Sequence, residues 1–466
     1  MAVRRASLRE VRLPEFGLPT AAPEISRAIH VARVAAALKR AKRKDLDALV
    51  VYGDREHSAN MAYLTGHDPR FEEAVLILVP DRVPRLLIGN EGWGYAALAA
   101  GLFERVLYQP LSLMGQPRDK LEPLPLHFRE AGLKPGMRIG AAGWKGFDEG
   151  NGRINPDWLE IPAWLADGLR KLAGRRGRVV NVADIFMNPR NGLRAINEVE
   201  QLAQFEYAAT HTSEAVRRAL LHAKPGMSEL AVAESMRLNG LPWSVHLMLS
   251  GGERARVGLP SPSSRPLRRG DPFTVAFGIA GGLNCRAGFL VADGSELPAA
   301  IRDYVPRLVQ PYFEAVVAWY ETVGTGVTGG ELYKAVETFV ENPFFGVGLN
   351  PGHLLHLDEW VHSPISKGSK IALSSGMALQ VDMIPATGTD YFTTNIEDGI
   401  ALGDEKLRRS FAQSYPEAWT RIERRRAFMD EALGIRLKPE VLPFSNIPAW
   451  LPPFILSPGR AMSMAP

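Results

Sequence analysis

Met377-Ala-Leu-Gln-Val-Asp-Met-Ile-Pro385 and Tyr391-Phe-Thr-Thr-Asn-Ile-Glu-Asp-Gly-Ile-Ala-Leu402 both alternate like strands. Ala386-Thr-Gly-Thr-Asp390 between them reads as a hairpin connection. Alternation puts Gln380, Asp382 and Ile384 on one face, and Asn395, Glu397 and Gly399 on one face. If the two faces coincide, two carboxylates meet among apolar neighbours. Such a pair shares a proton, holds a cation or binds a cationic substrate. His353 follows Asn350-Pro-Gly, a turn that can present a side chain into a cleft. His353, Asp382 and Glu397 are therefore the candidate catalytic residues.

Around this hairpin, the order helix, helix, hairpin occurs twice, over 193–292 and over 299–402. The first copy opens on a helical pattern from Asn191 to Leu221, and Ser228 is placed to cap the next helix. Strand-like segments follow at Ser244–Leu249 and Pro272–Ala292. In the second copy, helices are expected over Ala299–Val323 and Glu331–Val340.

Upstream, 25–190 alternates strands with helices, which predicts an α/β domain with a mixed or parallel sheet. Its helices are expected over Ile25–Arg43, Tyr95–Leu102 and Asn155–Leu172. Residues 1–24 read as an irregular arm. Residues 405–466 read as a charged helix reaching Leu433, its arginines on a solvated face, and then a proline-rich tail. The apolar Trp450-Leu-Pro-Pro-Phe-Ile-Leu456 should pack on the body or on a neighbouring subunit.

Composition narrows the function classes. The 466 residues carry a net charge of only +4, with no basic stripe interleaved with aromatics, which argues against a nucleic-acid partner. The first residues lack an apolar signal core, and the most apolar stretch, Trp93–Phe103, is too short to span a bilayer. A soluble cytoplasmic protein without membrane association is expected. Cys285, the single cysteine, allows no intramolecular disulfide and no cysteine-rich zinc site. It should be buried rather than nucleophilic.

Several motifs together resemble the creatinase, prolidase and aminopeptidase P ("pita-bread") superfamily. They are Leu193-Arg-Ala-Ile-Asn-Glu-Val-Glu-Gln-Leu, Lys224-Pro-Gly-Met-Ser-Glu, Leu267-Arg-Arg-Gly-Asp271, Gly352-His353 with His362 downstream, Ser375-Gly-Met-Ala-Leu-Gln-Val-Asp382 and Asn395-Ile-Glu-Asp-Gly-Ile-Ala. Asp45-Leu-Asp-Ala-Leu-Val-Val with Met61-Ala-Tyr-Leu-Thr-Gly66 is similar to the superfamily's N-terminal domain. The resemblance implies an α/β creatinase-like N-terminal domain plus an α+β pita-bread C-terminal domain over 191–404. It also implies a homodimer.

Most members of that superfamily hold two metal ions on two Asp, one His and two Glu. Here the positions that the spacing gives to the aspartates, counted from Gly270, are Ala276 and Ala287. His353 matches the family histidine, Glu397 the second glutamate, and Asp382 the first in shortened form. Five ligands become three, so a dinuclear centre is not expected. No cofactor is expected; a single divalent ion, if bound, would use His353, Asp382 and Glu397. Creatinase is the precedent for the fold without catalytic metal, with a histidine as acid/base and glutamates on a cationic group. Its key histidine has no counterpart in Gly251–Ser261, the nearest being His246, and its glutamate after the first hairpin is apolar here, near Phe289.

The resemblance makes His362 a substrate-contacting residue, and His246 a weaker one. The segment His353–His362 is two residues longer than usual, and brings in His356, read as a surface histidine, with Asp358 and Glu359. The expected function is a creatinase-like hydrolase or lyase acting on a C–N bond of a small amidine, amide or dipeptide-like substrate. The alternatives are an Xaa-Pro-type metallohydrolase with a reduced metal site, and a non-catalytic binding protein on the same fold.

Overall fold

The computed structural model describes residues 4–150 and 153–465. The chain divides into two compact units, Glu24–Arg194 and Met1–Pro23 with Ala195–Pro466. A short strand, β1 (Ser7–Glu10), comes before the Glu24–Arg194 unit.

In that unit, helix α1 (Arg27–Arg43) starts at Ser26, whose side chain accepts a hydrogen bond from the Ile29 N–H. Strands β2 (Ala48–Gly53), β3 (Ala74–Leu78), β4 (Arg85–Ile88), β5 (Glu104–Leu107), β6 (Arg138–Ala142) and β7 (Arg178–Asn181) form one sheet in the order β5-β4-β3-β2-β6-β7. β2 runs parallel to β6 and antiparallel to β3, so the sheet is mixed. The apolar runs of β2 and β3 are buried along their whole length, as befits central strands. Helices α2 (Leu124–Ala131) and α3 (Ala163–Ala173) cover the sheet with Phe128, Leu165 and Leu169. The helix expected over Asn155–Leu172 is confined to α3, since Pro162 supplies its N-cap and bars an earlier start. The expected Tyr95–Leu102 helix is instead Gly92–Tyr95 followed by a 3-10 turn at Ala96–Leu98. β5 and α2 carry too weak a period to be read from sequence.

In the second unit, α4 (Val199–His222) starts later than its helical pattern, because the Asn197 N–H is engaged by the Gly376 carbonyl. Ser228 caps α5 (Glu229–Ser235), accepting from the Ala231 N–H at 3.1 Å. Then come β8 (Met248–Gly251) and the hairpin β9 (Pro272–Ile279) and β10 (Gly282–Phe289). Next are α6 (Gln310–Thr322) and α7 (Gly329–Val340), the latter opened by a Thr328–Glu331 capping box. The short β11 (His353–Leu354) precedes the hairpin β12 (Ala378–Asp382) and β13 (Asn395–Leu402). These strands make one antiparallel sheet in the order β11-β12-β13-β10-β9-β8. α4 packs against it through Leu202, Phe205 and Ala209.

The charged segment after Asp404 is two helices, α8 (Glu405–Ser414) and α9 (Pro416–Glu431), broken where Pro416 cannot continue α8. Its arginines do not all face solvent. Arg421 and Arg425 are buried and bind the buried Glu206 of α4 at 2.6 and 2.7 Å. Burial alone would raise the Glu206 carboxyl, but the two guanidiniums outweigh it and hold the group below its ordinary range.

The tail packs on the body of its own chain. Strand β14 (Val441–Pro443) pairs with β13, Ile455 N–H donates to the Phe289 carbonyl at 2.9 Å, and Trp450 is buried. The final strand β15 (Arg460–Ser463) pairs with β1, Leu8 opposite Met462, so the segment read as an irregular arm contributes a strand. Among the described residues no helix is long and apolar enough to cross a membrane.

Candidate active site

Cross-strand register builds the site. Directly opposed residues in an antiparallel sheet point to the same face. One row crosses the sheet: Met248 opposes Ala276, Ala276 opposes Cys285, Cys285 opposes Glu397, and Glu397 opposes Asp382. His353 enters from β11, opposite Gln380, two residues along from Asp382. Gly352 delivers it at φ +116°, where a side chain's Cβ would lie 2.6 Å from the Gln380 carbonyl oxygen.

The structure thus brings His353, Asp382 and Glu397 together. His353 Nε2 lies 3.5 Å from Glu397 Oε1 and 3.9 Å from Asp382 Oδ2. Its nearest carboxylate is that of Glu359, at 3.2 Å. Trp360 stacks on the imidazole with centroids 4.1 Å apart. Nδ1 faces the Leu354 carbonyl at 3.3 Å, an acceptor that places a proton on Nδ1, while Nε2 is turned toward the carboxyls. Asp382 Oδ1 and Glu397 Oε1 are buried and have no hydrogen-bond partner among the described residues.

Electrostatics follow from this packing. Burial, the Glu397 charge beside it and too little compensation from His353 push the Asp382 carboxyl up to about 8. Burial and the Glu359 and Asp398 charges push Glu397 well above its ordinary value, and burial raises Glu359. The cations that could relieve them are elsewhere. Arg286 points to the opposite face of β10, where it pairs with Asp398 at 2.7 Å and donates to the Trp450 carbonyl.

The other sequence candidates stand apart. His362 pairs through its backbone with Leu354, and its ring, exposed, faces the Ser363 carbonyl. His246 is exposed, with Nε2 2.8 Å from the Leu259 carbonyl; no described hydrogen bond or ion pair links it to the cluster. His356, expected at the surface, is fully buried edge-on against Phe205. Cys285 is buried, accepts from Asn395 Nδ2 at 3.1 Å, and its thiol is pushed far up by burial and by the Glu397 and Asp382 charges. Glu359 carries no role readable from sequence; its only signal was the extra length of the segment that carries it.

A group that could hold one ion is present: His353, Glu359 and Glu397 place one ligand atom each within 4.8 Å of one another. Asp382 completes no such group among the described residues. Ala276 and Ala287, both buried, bring no donor to this face.

Comparison with known proteins agrees with this fold. Residues 203–404 match the model of metallopeptidase family M24. The uncharacterized peptidase YqhT of Bacillus subtilis (strain 168) is 28% identical over 228 residues, 46% of this chain, and the chain spans 62% of that protein's length. The recombinant prolidase of Thermococcus sibiricus superposes with a TM-score of 0.61 at 17% identity, covering 81% of this chain and 95% of that one. The Xaa-Pro dipeptidase of Bacillus anthracis does so with a TM-score of 0.58 at 16% identity, covering 81% and 96%. The mixed-sheet first unit, the antiparallel second unit and these superpositions together show the two-domain pita-bread fold, and residues 203–404 are similar to metallopeptidase family M24.

Proposed function

We propose that this chain is a hydrolase of a C–N bond in a small peptide-like or amidine-like substrate, working without a dinuclear metal centre. The observation that carries the reading is the row Ala276, Cys285, Glu397, Asp382. Where a two-ion site needs carboxylates on the first hairpin, this face carries a methyl group and a thiol that burial keeps protonated. What remains is an imidazole among carboxyls, a set suited to proton transfer.

In this reading His353 Nε2 takes a proton from water as the water oxygen bonds to the substrate carbon. Asp382, neutral at pH 7, gives its proton to the nitrogen as the C–N bond breaks. Water is consumed, and proton exchange between Asp382 and His353 restores the starting state. Glu397 orients the imidazole and stabilises its charged form.

A second reading, an Xaa-Pro-type metallohydrolase with a reduced site, is favoured by the His353, Glu359 and Glu397 trio. Those three donors fit one ion, which would supply Lewis-acid polarisation of the scissile carbonyl. The deciding experiment pairs elemental analysis of the purified protein with turnover of Pro-dipeptides, N-acyl amino acids and amidines before and after chelation. Activity that survives chelation and disappears in His353→Ala supports the proposal. One bound ion per chain and chelator-sensitive activity would overturn it in favour of the second reading. Absence of any turnover across the panel sinks both.

A further inference from the structure

We infer that the tip of the loop between Leu354 and His362 is a gate, closed in this conformation over His353. The inference rests on His353 being the working group. One face of the imidazole lies under the Trp360 indole, at 4.1 Å and an interplanar angle of 18°. Its Nε2 edge meets Glu359 Oε1 at 3.2 Å, and its Nδ1 edge meets the Leu354 carbonyl. No part of His353 is exposed. A substrate atom cannot reach Nε2 while Glu359 and Trp360 keep these positions.

The loop is held at its ends and loose at its tip. Leu354 N–H donates to the His362 carbonyl at 2.7 Å, and Val361 N–H to the Leu354 carbonyl at 3.0 Å. Leu355, His356 and Val361 are buried, and His356 is wedged against Phe205. Leu357 packs on the core, and the His356 N–H donates to the Asp358 carbonyl at 3.1 Å. Glu359 and Trp360, between Asp358 and Val361, are only partly buried and lie outside any strand. A two-residue tip between firm ends can swing about Asp358 and Val361 without disturbing the sheet. The aromatic stack that helps to shut it is weak enough to break on substrate binding.

The gate is tested by the reactivity of His353 toward diethyl pyrocarbonate, which acylates neutral imidazole, read residue by residue by peptide mass spectrometry. The exposed His246 is the internal reference. In the wild type His353 should react far more slowly than His246. Trp360→Ala should speed His353 modification by about tenfold, the change expected for losing one stacked aromatic contact, and leave His246 unchanged. Trp360→Phe, which keeps a ring and the fold, should fall between the two. Glu359→Gln should also speed it. The inference is overturned if wild-type His353 reacts as fast as His246, or if neither Trp360→Phe nor Glu359→Gln changes its rate while melting stays cooperative. No turnover is needed for this readout, so its failure is separate from failure of the hydrolase reading.

Discussion

Asp382, the last residue of β12, stands directly opposite Glu397 of β13, and both carboxyls face the imidazole of His353. Two buried carboxyls in one cross-strand pair cannot both be charged without a compensating cation. In this chain the arginine that lies nearest in sequence register, Arg286, is committed to Asp398 on the other face. The pair therefore stores protons, and its chemistry depends on what else enters the cluster.

Replacing His353 with Ala should remove the proton acceptor and lower turnover of any processed substrate by at least about a hundredfold, the lower bound for losing an acid–base group. Because His353 packs against Trp360 and Gln380's strand, His353→Gln should be assayed beside it. The check is kcat at saturating substrate, with melting temperature as the control. Activity within a factor of a few of wild type in both variants would exclude His353 from the reaction.

Placing carboxylates at the two positions where the resemblance leads one to expect aspartates should create metal capacity. Ala276→Asp with Ala287→Asp adds two anionic donors diagonally across β9 and β10, on the face that carries Glu397. Elemental analysis after equilibration with manganese or zinc should find more bound ion per chain in the double variant than in the wild type. Without metal the added buried charges should lower the melting temperature, and metal should recover it. An unchanged metal content would mean that these positions do not address the site.

The raised Asp382 carboxyl makes stability depend on pH in a defined direction. Its value is about 8 when folded, against about 3.9 in an unfolded chain. The folded state therefore binds the proton more tightly, and this contribution to stability is full below about pH 4 and lost as pH rises to about 8. In chelator, Asp382→Asn should flatten the fall in melting temperature between about pH 4 and 8, since the amide is neutral throughout. A slope identical to wild type would refute the assignment. If stability instead rises with pH once a divalent metal is added, a bound ion has replaced the proton.

Glu206 works in the opposite sense. Its carboxyl is held below the ordinary range by Arg425 and Arg421, so its contribution is present above the unfolded value and disappears as pH falls through the folded one. Glu206→Gln leaves two buried guanidiniums without their anion. It should cost about 3–5 kcal/mol in urea unfolding at pH 7, the usual result of removing one partner of a buried pair. A loss below about 1 kcal/mol would show that water or Asn446 compensates.

The two strands that carry Asp382 and Glu397 can be read from residue alternation alone, because alternation and a short connection are local properties. That their carboxyl-bearing faces coincide, with Asp382 opposite Glu397, is a matter of register, which the folded sheet sets. The turn before His353 was legible too, since Asn350-Pro-Gly is a local turn signal; that Gly352 tolerates no side chain shows only in the folded backbone. The two alanines on the first hairpin could be counted without any coordinates. What surrounds these groups follows from long-range packing. Arg421 and Arg425 look like a solvated helix face in sequence, and become core ions because α4 brings Glu206 to meet them. Glu359 and Trp360 sit in a segment without period, and His356 beside them is buried, because that loop closes on its own strand partner and folds onto His353. Periodicity reports the neighbours that a residue meets along its own element; which distant surface an irregular segment covers is set by long-range packing, and no local pattern encodes it.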